Sequence, residues 1–235
     1  MKKIVVGSGP VSVEDVVAVA RYSAKVELDS AALVEVAASR DLIDGLASDP
    51  EPHYGISTGF GALANTFIEG DRRAQLQASL IRSHAAGSGP EVEREVTRAL
   101  MLLRLSTLMT GRTGVRRETA ETYAAVLNAG ITPIVREYGS LGCSGDLAPL
   151  SHVALACLGE GEVRNAEGVL MPASQALAAA GITPLKLGEK EGLALINGTD
   201  GMLGMLSLAL HDIARLMKTV DLACLLYTSP SPRDA

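Results

Sequence analysis

Apolar residues fall at helical spacing through most of this chain, and glycine or proline closes each run, which leaves little of it free for extended structure. Val13, Val16, Val17 and Ala20 make one stripe, behind Ser12 as N-cap with Asp15 closing a capping-box-like pair. A second helix is predicted from a cap near Asp29 or Ser30 to about Ala47, carrying Leu33, Val36, Leu42, Ile43 and Leu46, and stopped by Asp49-Pro-Glu-Pro52. Asp71 to His84 reads as a third, with Leu76, Leu80 and His84 at i, i+4 and i+8 on its buried face. Glu91 to Thr110 reads as a long amphipathic fourth, with Val92, Val96, Leu100 and Leu103 inward. A further helix carries Val115, Tyr123, Val126 and Leu127 up to Gly130. Ala129-Gly-Ile-Thr-Pro133 recurs as Ala180-Gly-Ile-Thr-Pro184, a glycine-ended helix followed by an extended X-Pro step. Nothing beyond those five residues repeats, so this is shared punctuation and not a solenoid. Glu162 to Leu170, turning near Asn165 to Gly168, is the one clear hairpin signal.

Composition supports a mainly α fold. The chain has 235 residues, 47% hydrophobic and 20% charged, enough for a sizeable core in one or two domains; aromatics are only 3% and tryptophan is absent, which favours helix on helix. A net charge of -6 gives no basis for sequence-independent binding to nucleic acid or to an anionic membrane. Cysteines 143, 157 and 224 include no C-x-x-C pair, which argues against a disulfide framework and a zinc site and makes a reducing cytoplasm the expected location. After Met1-Lys-Lys, only Ile4, Val5 and Val6 precede Gly7, too few for a signal peptide core. Gly201 to Leu210 meets His211 and Asp212 after ten uncharged residues; it is too short for a membrane span and reads as a buried helix.

Four segments carry residues suited to chemistry. Gly139-Ser-Leu-Gly-Cys-Ser-Gly-Asp-Leu-Ala-Pro-Leu-Ser-His152 has glycines at 139, 142 and 145, so a tight loop is possible; Asp146 then opens a helical run with Pro149 in its first turn. Tyr54-Gly-Ile-Ser-Thr-Gly-Phe-Gly61 is a glycine loop holding a tyrosine and two hydroxyls. His84 closes its helix, and Asn197 lies between Ile196 and Gly198. Each has a plain structural reading: a loop capping a helix, a turn anchored by a half-buried tyrosine, a core histidine, and a helix cap. Ile4-Val-Val-Gly7-Ser-Gly9 looks like the opening of a dinucleotide-binding unit, which would make the chain an NAD-dependent oxidoreductase. Against that, Ser12 replaces the third glycine, Pro10 removes an amide, and no strand with a terminal acidic residue is expected at the right distance. Past Ala223 the helical pattern breaks, and residues 226–235, with two X-Pro steps, read as a tail that does not extend the helix.

Together, Cys143-Ser144-Gly145 in its glycine loop, the Tyr54 to Gly61 loop, Ser83-His-Ala-Ala-Gly87 and Asn197-Gly-Thr199 resemble the histidine and aromatic amino-acid ammonia-lyases, over roughly Met1 to Ala223. The resemblance implies a mainly α fold of the fumarase/aspartase-like superfamily. Residues 1–200 would be the domain bearing the reactive loop and a small hairpin, and 201–225 the start of a long helical bundle. It implies an electrophile, methylidene-imidazolone (MIO), made from Cys143, Ser144 and Gly145 with no external cofactor and no metal. Gly145 would supply the ring nitrogen, Ser144 the methylidene carbon, and Cys143 only a carbonyl, so cysteine in place of the commoner alanine removes no needed atom. Tyr54 matches the tyrosine of proton transfer, His84 the histidine that contacts a substrate imidazole, and Asn197 the asparagine beside the electrophile; Asp200 replaces a common glutamine. The reaction implied is deamination of L-histidine to urocanate and ammonia, with tyrosine or phenylalanine lyases and aminomutases as alternatives. Family members are roughly twice this length and form homotetramers, so the chain alone is expected to be inactive.

Overall fold

A computed structural model describes residues 3–7, 9–142 and 145–229. The chain opens with β1 (Lys3–Val6), α1 (Val13–Ala20) and β2 (Lys25–Leu28), in which the two strands pair in parallel. α1 starts as its sequence predicts: Ser12 Oγ accepts from Asp15 N at 3.1 Å, and the Asp15 carboxylate faces Ser12 N at 3.4 Å. β2 corrects one expectation, because a strand ending beside an acidic residue does follow the glycine pair. Asp29, however, is occupied: its carboxylate accepts from Ala32 N at 2.9 Å and caps α2 (Ser30–Ala47). Gly7, at φ +111°, serves the same junction, since a Cβ there would lie 2.6 Å from that of Ala32. The glycine that suggested a pyrophosphate site is a packing glycine.

α2 buries Leu33, Val36 and Ile43, while Leu42, assigned to the same stripe, is exposed. α3 (Gly70–His84) likewise turns a different face inward from the predicted row: Arg73, Gln77, Leu80 and Ile81 are buried, and His84 is half-buried at the edge. β3 (Ser88–Glu91) then takes the residue expected to open the long helix, so α4 runs Arg94–Leu108. After α5 (Arg117–Asn128) come β4 (Thr132–Pro133) and β5 (Arg136–Tyr138); β5 pairs antiparallel with β3. α6 (Leu147–Cys157) follows, then β6 (Glu162–Arg164) and β7 (Leu170–Pro172), which form the predicted hairpin with Gly168 N donating to Asn165 O at 3.0 Å; β4 joins β6 on its other side. α7 (Ala173–Ala179), α8 (Glu191–Ile196) and α9 (Asp200–Thr228) complete the chain. Gly130 and Gly181 take φ of +75° and +68° just past α5 and α7, the helix-ending role their shared motif predicts.

α4 is the axis of the core, packed against α1, α5 and α9, with Ala99 to Leu105 buried all round. Two of its fully enclosed side chains are arginines. Arg98 donates to Val19 O at 3.1 Å and Leu127 O at 3.2 Å, and burial pulls its guanidinium down to about 10. α9 packs only through its first turns, where Gly201, Gly204, Ser207 and Leu208 are buried; Arg21 binds Asp212 at 2.6 Å, and beyond it the helix is exposed. The expected buried helix is therefore buried only at its start. It also continues through Leu226 to Thr228, past the expected break, and stops one residue ahead of Pro230. By length and composition alone the stretch Glu191–Thr228, which α8 and α9 make up, holds a window apolar enough to cross a bilayer, a property that the core helix of a folded domain shares. Cys157 is buried, which pushes its thiol up to about 12, whereas Cys224 is exposed.

Candidate active site

α3, α6, α8 and the loop after α2 surround a cavity of about 370 Å³, and Tyr54, His84 and Asn197 all line it. The remaining wall is apolar: Phe60, Leu80, Leu147, Leu193 and Ile196. Three residues singled out from distant parts of the chain thus share one chamber.

The Tyr54 loop folds around His53, whose carbonyl accepts from Ile56 N and Ser57 N at 3.1 and 3.0 Å while its own amide donates to Ser57 Oγ at 2.9 Å. Tyr54 is 53% exposed, so it is not the half-buried anchor of the plain reading. Gln77 is the anchor. From the buried face of α3 it donates to Gly55 O at 3.1 Å and accepts from Gly192 N at 2.9 Å, tying the loop to α8. Tyr54 meets Phe60 edge to face at 6.0 Å, and Gly61 N donates toward its phenol oxygen at 3.5 Å.

His84 Nδ1 lies 2.9 Å from Leu80 O. The Ser83 hydroxyl lies 3.0 Å from the same nitrogen, so this edge of the ring is held by its own helix. The segment after it is fixed from α6, because Gly87 N donates to His152 Nε2 at 3.1 Å. Burial first, and then the nearby Arg136 charge, hold His152 below the usual histidine range and so favour this neutral acceptor.

Leu147, the first residue of α6, lines this cavity; of the loop before it, Ser140 and Asp146 line a separate pocket with Gly201 and Met202. Cys143 and Ser144 lie outside the described residues; Gly145 lies inside them. Its φ is +117°, and a Cβ there would come within 3.3 Å of Gly198 O. Asp146 N donates to the same Gly198 oxygen at 2.6 Å. The buried Asp146 opens α6 as expected but does not cap it with its side chain. Its carboxylate accepts from the Ser140 hydroxyl and, at 3.0 Å, from Met202 N in the first turn of α9. Below this turn Arg104 donates from Nη1 to Ala194 O at 3.1 Å and Asn197 O at 3.3 Å, while Nε and Nη2 bind the Asp200 carboxylate. Asp200 is an interior partner of Arg104. Gln77 and Arg104 are the supports that the sequence reading missed; the one available signal was a charge inside the apolar run from Leu100 to Leu108.

Gly145 takes a backbone conformation that favours glycine, and its nitrogen donates to Gly142 O at 3.2 Å. A mainly helical domain with a tyrosine, a histidine and an asparagine in one chamber beside such a loop has the form of an amino-acid lyase. The aromatic amino acid lyase family model matches residues 11–229, and the chain belongs to that family. It is 61% identical over 226 residues to a histidine ammonia-lyase of Streptomyces griseus, covering 96% of this chain and 44% of that protein. Among solved structures it is similar to the histidine ammonia-lyase of Trypanosoma cruzi (34% identity, TM-score 0.82, 88% of this chain and 40% of that one). It is also similar to the tyrosine aminomutase of Streptomyces globisporus (42%, TM-score 0.82, 88% and 39%). The chain spans less than half the length of the relatives it matches.

Proposed function

We propose that the whole protein is a carbon-nitrogen lyase that deaminates L-histidine to urocanate and ammonia, with this chain supplying the electrophile loop and one wall of the site. The observation that carries the reading is that His84 lines the same cavity as Tyr54 and Asn197. An imidazole can hydrogen-bond the ring nitrogens of a substrate imidazole, and the apolar wall takes its carbon edge. In this reading the amide nitrogen of Gly145 bonds to the carbonyl carbon of Cys143. Two waters leave, one with that carbonyl oxygen and one with the hydroxyl of Ser144. The resulting methylidene-imidazolone supplies an electron sink that makes the substrate's nitrogen a leaving group.

The chain's own residues do the rest. Tyr54, acting as its phenolate and ending as the phenol, takes the substrate's β-proton, with the Gly61 amide donating toward that oxygen at 3.5 Å. Asn197 holds the amino-acid end, and the apolar wall faces the carbon frame of the substrate. Further site groups would come from the rest of a cytoplasmic homotetramer. The test is product analysis on the protein at the full length of its relatives. Urocanate from L-histidine, lost in His84→Leu, supports the reading. Coumarate from tyrosine, or a β-amino acid, with L-histidine unconsumed, would move it to a tyrosine lyase or an aminomutase.

A further inference from the structure

Arg104 and Asp200 form an ion pair in which both side chains are almost wholly enclosed, at 2% and 8% exposure. Such a pair is weak evidence for stability, because desolvating two charges offsets most of their attraction, and apolar replacements of similar shape are often neutral or stabilising. Its geometry shows what else it does. The planar guanidinium spends its donors on one short segment: Nε and Nη2 on Asp200, Nη1 on Ala194 O and Asn197 O. Between those partners lies Gly198, where any Cβ would overlap the guanidinium, so the turn lies directly on it. The opposite side of the same turn presents Gly198 O to Asp146 N at 2.6 Å and lies against Gly145. Asn197, one residue earlier, lines the cavity.

We propose that Arg104, oriented by Asp200, is a positioning residue that holds the turn at residues 197–200 and through it sets both Asn197 in the cavity and the Gly145-Asp146 end of the electrophile loop. Its distance from the reacting atoms is bridged by two contacts, guanidinium to turn and turn to Asp146 N. Lysine satisfies Asp200 but cannot reproduce the planar fork to two carbonyls, so Arg104→Lys separates charge from geometry. The part of this proposal that concerns loop closure rests on the lyase reading; the part that concerns the turn does not.

The experiment uses the protein at the full length of its relatives, with two readouts, peptide-resolved hydrogen exchange and intact mass. Arg98→Lys serves as control, since Arg98 is equally buried on the same helix but bonds only Val19 O and Leu127 O. Arg104→Lys should raise exchange at the 145–146 and 197–199 amides about tenfold relative to α5 amides, the scale of one lost hydrogen bond. It should also lower the fraction of chains that have lost two waters. Arg98→Lys should do neither at matched stability. If Arg104→Lys does not fold, Asp200→Asn, which retains the arginine and an oxygen acceptor, should give the same pattern more weakly. Unchanged exchange at 145–146 in the folded variant, or an equal rise in Arg98→Lys, overturns the positioning role. A parent chain at full mass would instead overturn loop closure, while the exchange result still decides the role of Arg104.

Discussion

Gln77 offers a perturbation whose size follows from the structure. Its side chain makes two buried hydrogen bonds, to Gly55 O at 3.1 Å and from Gly192 N at 2.9 Å, and those backbone groups have no route to solvent when it is replaced. Gln77→Leu keeps the volume and removes both bonds. An unsatisfied buried polar group costs roughly 1–3 kcal/mol, so two cost about 4 kcal/mol. For a chain of this size that lowers Tm by about 8–16 °C. Differential scanning calorimetry reads the loss, and hydrogen exchange locates it. Because Gln77 joins the Tyr54 loop to α8, amides of residues 54–61 and 191–196 should lose protection first, while the β6–β7 hairpin should not. A loss under about 1 kcal/mol would refute the view that Gln77 is the loop's anchor. So would a large loss with exchange at 54–61 unchanged.

Glu191 and His152 should each contribute to a loss of stability in acid. Burial alone would raise the Glu191 carboxyl, but Arg116, Thr119 and the Gly188 amide all donate to it and hold it below the usual range. Its contribution is therefore complete above the unfolded pKa of about 4.3 and is lost as pH falls through the lower folded value. Glu191→Gln should lower the urea midpoint at pH 7 and flatten its decline below about pH 4.3, as followed by circular dichroism. His152 is also held below its ordinary value, so its stabilising part is complete above about pH 6.5 and fades as pH falls through the folded pKa. His152→Gln, which can still accept from Gly87 N, should remove that slope and leave the midpoint at pH 8 nearly unchanged.

Local signals in the sequence carried much of the fold. Ser12, Asp15 and Asp29 cap helices through atoms two or three residues away, and Gly130 and Gly181 end theirs by their own φ, so each is readable from a short window. The pairing of β3 with β5 joins segments more than forty residues apart that show no alternation, and nothing local announces it. Helix faces were harder: α3 buries Arg73 and Gln77 because their polar atoms find backbone partners, which no hydropathy pattern records. The same reason hid Arg104, while Tyr54, His84 and Asn197 stood out because glycine or a helix end marks each of them. The end of α9 was placed too early because Leu226 to Thr228 were grouped with the prolines after them; the proline effect reaches back only to Ser229.

The central claim is that Cys143, Ser144 and Gly145 close into an electrophile beside the cavity of Tyr54, His84 and Asn197. Intact-mass spectrometry of the protein at the full length of its relatives, with Ser144→Ala as control, tests it most directly. The account predicts a parent lighter than its sequence by two waters, with the loss mapped to the peptide containing residues 143–145, and a control without that loss. A parent at its full sequence mass, or a Ser144→Ala variant that loses the same two waters, would contradict it.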